Sequence, residues 1–78
     1  MTASELTHSE ARERWGLPDE VLGSVNDPRT HDENGVRWNE KWIYRLDDGV
    51  ERFVYWYRYD PRGVFVVSAD GSAKRESL

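Results

Sequence analysis

His31-Asp32-Glu33, with His8 elsewhere in the chain, could offer imidazole and carboxylate ligands to a metal ion. A useful site needs three or four ligands converging from fixed positions. These residues lie in a polar stretch without a spacing signature, so a solvated loop is the expectation. Glu40 is the one carboxylate placed inside a Trp-rich strand face, where a half-buried carboxylate could act as a base. Pairing with Arg58 or Arg52 on the neighbouring strand competes with that role. Ser68 has no histidine near it in sequence, and nothing marks it as an activated nucleophile. No catalytic residue, cofactor or metal site is therefore assigned, and the chain is read as non-enzymatic.

The aromatic residues carry more information. All but Trp15 lie between Val36 and Ala69, a stretch that reads as three β-strands joined by two tight turns. Leu46-Asp47-Asp48-Gly49-Val50 suits a three-residue loop, with a type I turn at Asp47-Asp48 and a left-handed Gly49. This sets Arg45 opposite Glu51 and Tyr44 opposite Arg52. A two-residue loop would oppose Arg45 to Arg52, a like-charge pair. Tyr59-Asp60-Pro61-Arg62-Gly63-Val64 offers the same solution again and pairs Asp60 with Val64.

Side chains alternate across a strand. One face then carries Val36, Trp38, Glu40, Trp42, Tyr44, Val54, Trp56, Val64 and Val66. The other carries Phe53, Tyr55, Tyr57, Tyr59, Phe65 and Val67, with Arg37, Lys41 and Arg45 as a basic margin. Two short helices can cover one side of such a sheet. The Trp-led side is expected to receive them, meeting Trp15, Leu17, Val21 and Leu22. The Tyr/Phe side, with Lys41 and Arg45 on its rim, is then the expected interaction surface.

The elements before the sheet follow from local signals. Met1 to Glu5 is expected to fray. Thr7 and Glu10 form a capping box for a helix over His8 to Trp15, stapled by Leu6 and Ala11 and ended by Gly16 and Pro18. Pro18 to Gly23 is expected to form a second short helix. A polar loop follows over 24–35, then the sheet over 36–69 and a disordered tail over 70–78. The fold class is a single small α+β domain over 1–78: two short N-terminal helices packed on a three-stranded antiparallel β-meander.

Glu10-Ala11-Arg12-Glu13-Arg14-Trp15-Gly16-Leu17-Pro18, followed by Val21 and Leu22, resembles the helix-turn-helix of MerR-like and excisionase-type DNA-binding proteins. That resemblance implies a recognition helix ahead of a β-hairpin wing. The sequence departs from the family at Arg12, where a small residue is usual, and at Asp19 and Glu20, which would face phosphates with the wrong sign. The meander around Tyr55-Trp56-Tyr57 also resembles a WW domain. The second signature tryptophan and its proline are absent, so no proline-binding function is carried over.

With 78 residues the chain makes one domain with a thin core, and with no cysteine it has no disulfide to staple it. The formal net charge of −4 argues mildly against nucleic acid. No apolar run is long enough to span a membrane and no signal peptide is evident, so a soluble cytoplasmic protein is expected. The leading expectation is a small bacterial or phage interaction or accessory protein that binds a protein partner or forms a homodimer through the Tyr/Phe face. The alternative is a nucleic-acid binder, either winged helix-turn-helix or a single-strand binder stacking bases on Phe53, Tyr55 and Tyr57.

Overall fold

The computed structural model describes residues 6–76. The expected frayed start at 1–5 and the last two residues of the expected tail lie outside the described residues. One helix is present among them, α1 (His8–Trp15), followed by strands β1 (Glu20–Gly23), β2 (His31–Glu33), β3 (Val36–Trp38), β4 (Glu40–Arg45), β5 (Glu51–Tyr57), β6 (Asp60–Val67) and β7 (Ala73–Arg75). Five strands form an antiparallel sheet in the order β1-β4-β5-β6-β7, and β2 and β3 form a separate hairpin. The expected two helices on a three-stranded meander are thus replaced by a mostly β fold.

Helix α1 is built as its sequence signals require. The Thr7 hydroxyl accepts from the Glu10 N–H and the Glu10 carboxylate accepts from the Thr7 N–H, both at 3.1 Å. Gly16 ends the helix at φ 81°, ψ −167°, a conformation open essentially to glycine alone. Leu6, Ala11 and Trp15 then pack on Trp42, Tyr44, Val54, Trp56 and Val64. The Tyr44 hydroxyl donates to the Gly16 carbonyl at 2.8 Å and fixes the end of the helix to the sheet.

Pro18 to Gly23 is not a second helix. So few residues cannot hold a helix without extensive packing, whereas the outer side of β4 needs hydrogen-bond partners. β1 supplies them, with Val21 opposite Trp42 and Leu22 opposite Lys41. The expected tail is likewise corrected for residues 70–76. Gly71, at φ 93°, turns the chain back, and β7 pairs with β6. The Arg52 guanidinium closes on the Glu76 carboxylate at 2.9 and 3.1 Å.

The β4–β5 register has Arg45 opposite Glu51 and Tyr44 opposite Arg52, as charge opposition predicts. The turn itself differs: Asp48 (φ 61°, ψ 33°) and Gly49 (φ 75°) are both left-handed, the mirror-image turn that Asp-Gly favours. The β5–β6 turn differs more. It is a two-residue turn at Arg58-Tyr59, with Arg58 at φ 59° and Tyr57 paired to Asp60. Pro61-Arg62-Gly63 is instead an irregularity inside β6: Pro61 faces Trp56, Gly63 faces Tyr55, and Arg62 is the extra residue of a bulge. The bulge sets Val54 opposite Val64 and Phe53 opposite Phe65, so each strand keeps its apolar residues on the expected faces.

The chain from Val36 to Leu46 is not one strand. It bends at Asn39, which separates β3 from β4. Val36 and Trp38 therefore cross to the other side of the sheet and pack with Tyr55, Phe65 and Phe53. Asn34 (φ 54°) and Gly35 (φ 79°) form the tight turn between β2 and β3, and the hairpin lies over the face expected to be bare.

Candidate functional site

The residues expected to form the interaction surface are dispersed by this hairpin. Tyr55 is fully buried (0% exposed) beneath it, and Phe65 is buried beside it. Phe53 and Val67 are half-buried. Tyr57 lies at the exposed margin, and Tyr59 is 73% exposed but leans on His8, on the α1 side. Lys41 is buried with its ammonium 3.9 Å from the centre of the Phe53 ring, near Trp38 and Tyr55, and 2.8 Å from a Glu33 oxygen. Arg45 is exposed and bonds Glu20 at 2.8 Å, with Glu51 at 3.8 Å. Tyr55, Phe65, Phe53 and Lys41 of this face thus pack with the hairpin, while Arg45 pairs along the sheet and Tyr57 and Tyr59 stay exposed. Tyr55 and Phe53 offer no stacking platform for single-stranded nucleic acid, and a helix-turn-helix has no second helix here.

Burial also governs the Tyr55 hydroxyl, which accepts from the Asn34 side-chain amide at 3.0 Å. Removal from water pushes its pKa well above the ordinary tyrosine value, and burial raises Tyr44 as well. A raised folded-state pKa stabilises the fold up to the unfolded value, about 10, and that stabilisation is lost as pH rises beyond it. Alkaline unfolding followed by circular dichroism should therefore begin above pH ~10. Tyr55→Phe should flatten that alkaline limb.

On the α1 side, Glu40 is buried and pairs with neither Arg58 nor Arg52. One of its oxygens lies 2.9 Å from His8 Nε2, and the other accepts from the Trp42 indole N–H at 2.8 Å. The His8 ring stacks on Trp56 with centroids 3.8 Å apart and meets Trp42 edge-on. Glu40 and His8, weighed separately in the sequence, are brought together. Both Glu40 oxygens are engaged, and the arrangement ties α1 to the sheet. Trp42→Phe should cost about 2 kcal/mol by leaving a buried carboxylate oxygen without its donor. The Trp56 indole N–H is buried without a partner among the described residues, so Trp56→Phe loses ring area but none of their hydrogen bonds and should cost about 1 kcal/mol. Urea titration of the two variants compares them directly.

His31, Asp32 and Glu33 diverge: the His31 ring packs on Trp38, Asp32 pairs with Arg37 at 3.2 Å, and Glu33 holds Lys41. Among the described residues no three His, Cys, Asp or Glu side chains are placed to hold a metal ion. No helix among them is long and apolar enough to cross a membrane.

What the fold leaves open is its two sheet edges. β7 is short and charged through Lys74 and Arg75; the Arg75 guanidinium donates to the Arg62 carbonyl at 2.9 Å and lies over Phe65. Such edges are guarded against further pairing. β1 is one residue longer and carries Glu20, but its other large side chains are apolar. Val21 is 47% exposed and Leu22 38%, and Leu17, in the link from α1, is 78% exposed. Sequence reasoning missed this element because it assigned Val21 and Leu22 to a helix docked on the sheet. Comparison with protein-family models, curated proteins and solved structures gives no match to this chain.

Proposed function

We propose that this chain is a non-enzymatic protein-interaction module that takes an extended strand from its partner along β1. The observation that supports this reading is the contrast between the two edge strands of the sheet: β7 presents Lys74 and Arg75, whereas β1 exposes the apolar Val21 and Leu22. Strand addition uses these features, main-chain hydrogen bonds for affinity and alternate side chains for selectivity. The internal pairing of the remaining charges supports it further. Glu20 and Arg45 bond each other, and Asp19 accepts from the Arg45 N–H, so the acids beside the edge are already engaged. A cytoplasmic setting belongs to the same proposal and fits a chain without cysteine.

The reading is tested by placing a photo-reactive phenylalanine derivative at the position of Val21, and separately at that of Lys74, in cells that produce the protein. Light should generate a covalent adduct from position 21 and none from position 74. Failure to obtain any adduct from position 21 would reject the edge as the docking element.

A further inference from the structure

We infer that the strand received by β1 is the β1 of a second copy of this chain, paired antiparallel about a two-fold axis perpendicular to the sheet. This rests on the reading of β1 as the docking element. Three features select this occupant.

The first is closure. Pairing β1 with the β7 of another copy would be head-to-tail and would propagate without end. That edge is also only three residues long and presents Lys74 and Arg75. Pairing β1 with β1 closes at two copies and joins two five-stranded sheets into one.

The second is register. A perpendicular two-fold keeps each sheet face continuous across the joint, so every residue must oppose one from its own face. Val21, opposite Trp42, lies on the α1 face; Glu20 and Leu22, opposite Ile43 and Lys41, lie on the hairpin face. Centring the axis on Val21 puts Val21 against its own copy, Glu20 against Leu22 and Asp19 against Gly23. Centring it on Glu20 opposes two carboxylates, which is unfavourable. Centring it on Leu22 faces Val21 with Gly23 and forfeits the valine pair. The Val21-centred and Leu22-centred registers both put an apolar pair on the axis and oppose no like charges; the first does so with Val21, the more exposed of the two side chains at 47% against 38%.

The third is charge. A basic peptide would be the natural partner of Asp19 and Glu20 were they free, but Arg45 engages both. What β1 still presents is apolar and self-matching.

Sedimentation equilibrium of the purified chain should show a concentration-dependent dimer. Val21→Lys places two ammonium groups across the axis and should raise the dimer Kd at least about tenfold, with an unchanged circular dichroism spectrum. The chain has no cysteine, so Val21→Cys provides a clean geometric probe. Residues facing each other across an antiparallel pair have Cα atoms about 4.5–5.5 Å apart, within disulfide reach. Mild oxidation should convert this variant to a covalent dimer, whereas Tyr59→Cys should remain largely monomeric. A wild type that stays monomeric, or a dimer indifferent to Val21→Lys, would overturn the second copy as partner. If a monomeric protein still gives a photo-adduct of foreign mass from position 21, the edge reading survives and only the identity of the partner falls. If no adduct forms, both fall.

Discussion

Asn39→Ala should destabilise the domain by about 3 kcal/mol, read as a fall in the urea midpoint with little change in slope. Asn39 is only 1% exposed and every polar group of its side chain is used. Its amide donates to the Val25 carbonyl at 3.2 Å and the Asp27 carbonyl at 3.0 Å, while its carbonyl accepts from the Arg58 N–H at 2.8 Å. Its own N–H donates to the Trp56 carbonyl at 2.9 Å. Alanine keeps that last bond and strands three backbone groups in a place water reaches poorly. It also releases Arg58, whose left-handed φ of 59° is unfavourable for a residue with a side chain and is held by this bond. Asn39→Asp should be no better, because a carboxylate would face two carbonyl oxygens where the amide donated. A domain of this size has only about 4–12 kcal/mol in total, so either change removes a large share.

The second large effect is expected at Gly23, where alanine should also cost about 3 kcal/mol. Gly23 has φ +75°, and a Cβ there would run into the Asn39 carbonyl oxygen, with the carbonyl carbon 3.1 Å away. That carbonyl belongs to a residue fixed by four hydrogen bonds, so it cannot yield. The strain is relieved most easily by lifting the end of β1 away from β4. Amide hydrogen exchange should show it as faster exchange across Glu20–Gly23 than in β5, with a lower thermal midpoint. Because the two sites share one joint, Asn39→Ala and Gly23→Ala combined should cost less than their sum.

That joint also explains which parts of the fold were legible in the sequence. The α1 capping box, the Leu6–Ala11 staple and the Arg45–Glu51 register follow from signals within a few residues, and all are present. Of the two helices expected on the Trp-led face only α1 exists and packs there through Ala11 and Trp15; Leu17, Val21 and Leu22 do not. The break at Asn39 is different. Val36 to Leu46 alternates without interruption, and the reason to stop at Asn39 lies in Val25, Asp27, Trp56 and Arg58, remote in sequence. The same residue explains the misplaced β5–β6 turn. Pro-Arg-Gly is the stronger turn signal, but Arg58 takes the turn because Asn39 anchors its N–H. β1 and β7 are three or four residues long and acquire their strand character from the neighbours they pair with. Asn34-Gly35, a turn dipeptide flanked by Asp32-Glu33 and Val36-Arg37, is also what a two-residue hairpin prefers, and Asp48-Gly49 is a second local clue of the same kind.

For the site, Tyr57 and Tyr59 are exposed as expected, and Tyr55 and Phe65 are buried for one physical reason. The loop expected to be solvated supplies β2, which with β3 forms the lid over Tyr55 and Phe65. Lys41 and Glu33 then close over the edge of that lid. An apolar sheet face is evidence that something covers it, and the cover here is the chain's own.

The bulge at Arg62 stores one residue of slack in this hairpin. Removing Arg62 would leave a regular ladder, with Gly63 still opposite Tyr55 and Val64 still opposite Val54, so Val64 and Val66 would keep facing α1 and Phe65 the hairpin. Two residues added together at the Arg58-Tyr59 tip would leave both cores as they are. The hairpin therefore carries, at Arg62, a place where its length can drop by one residue without moving a core side chain.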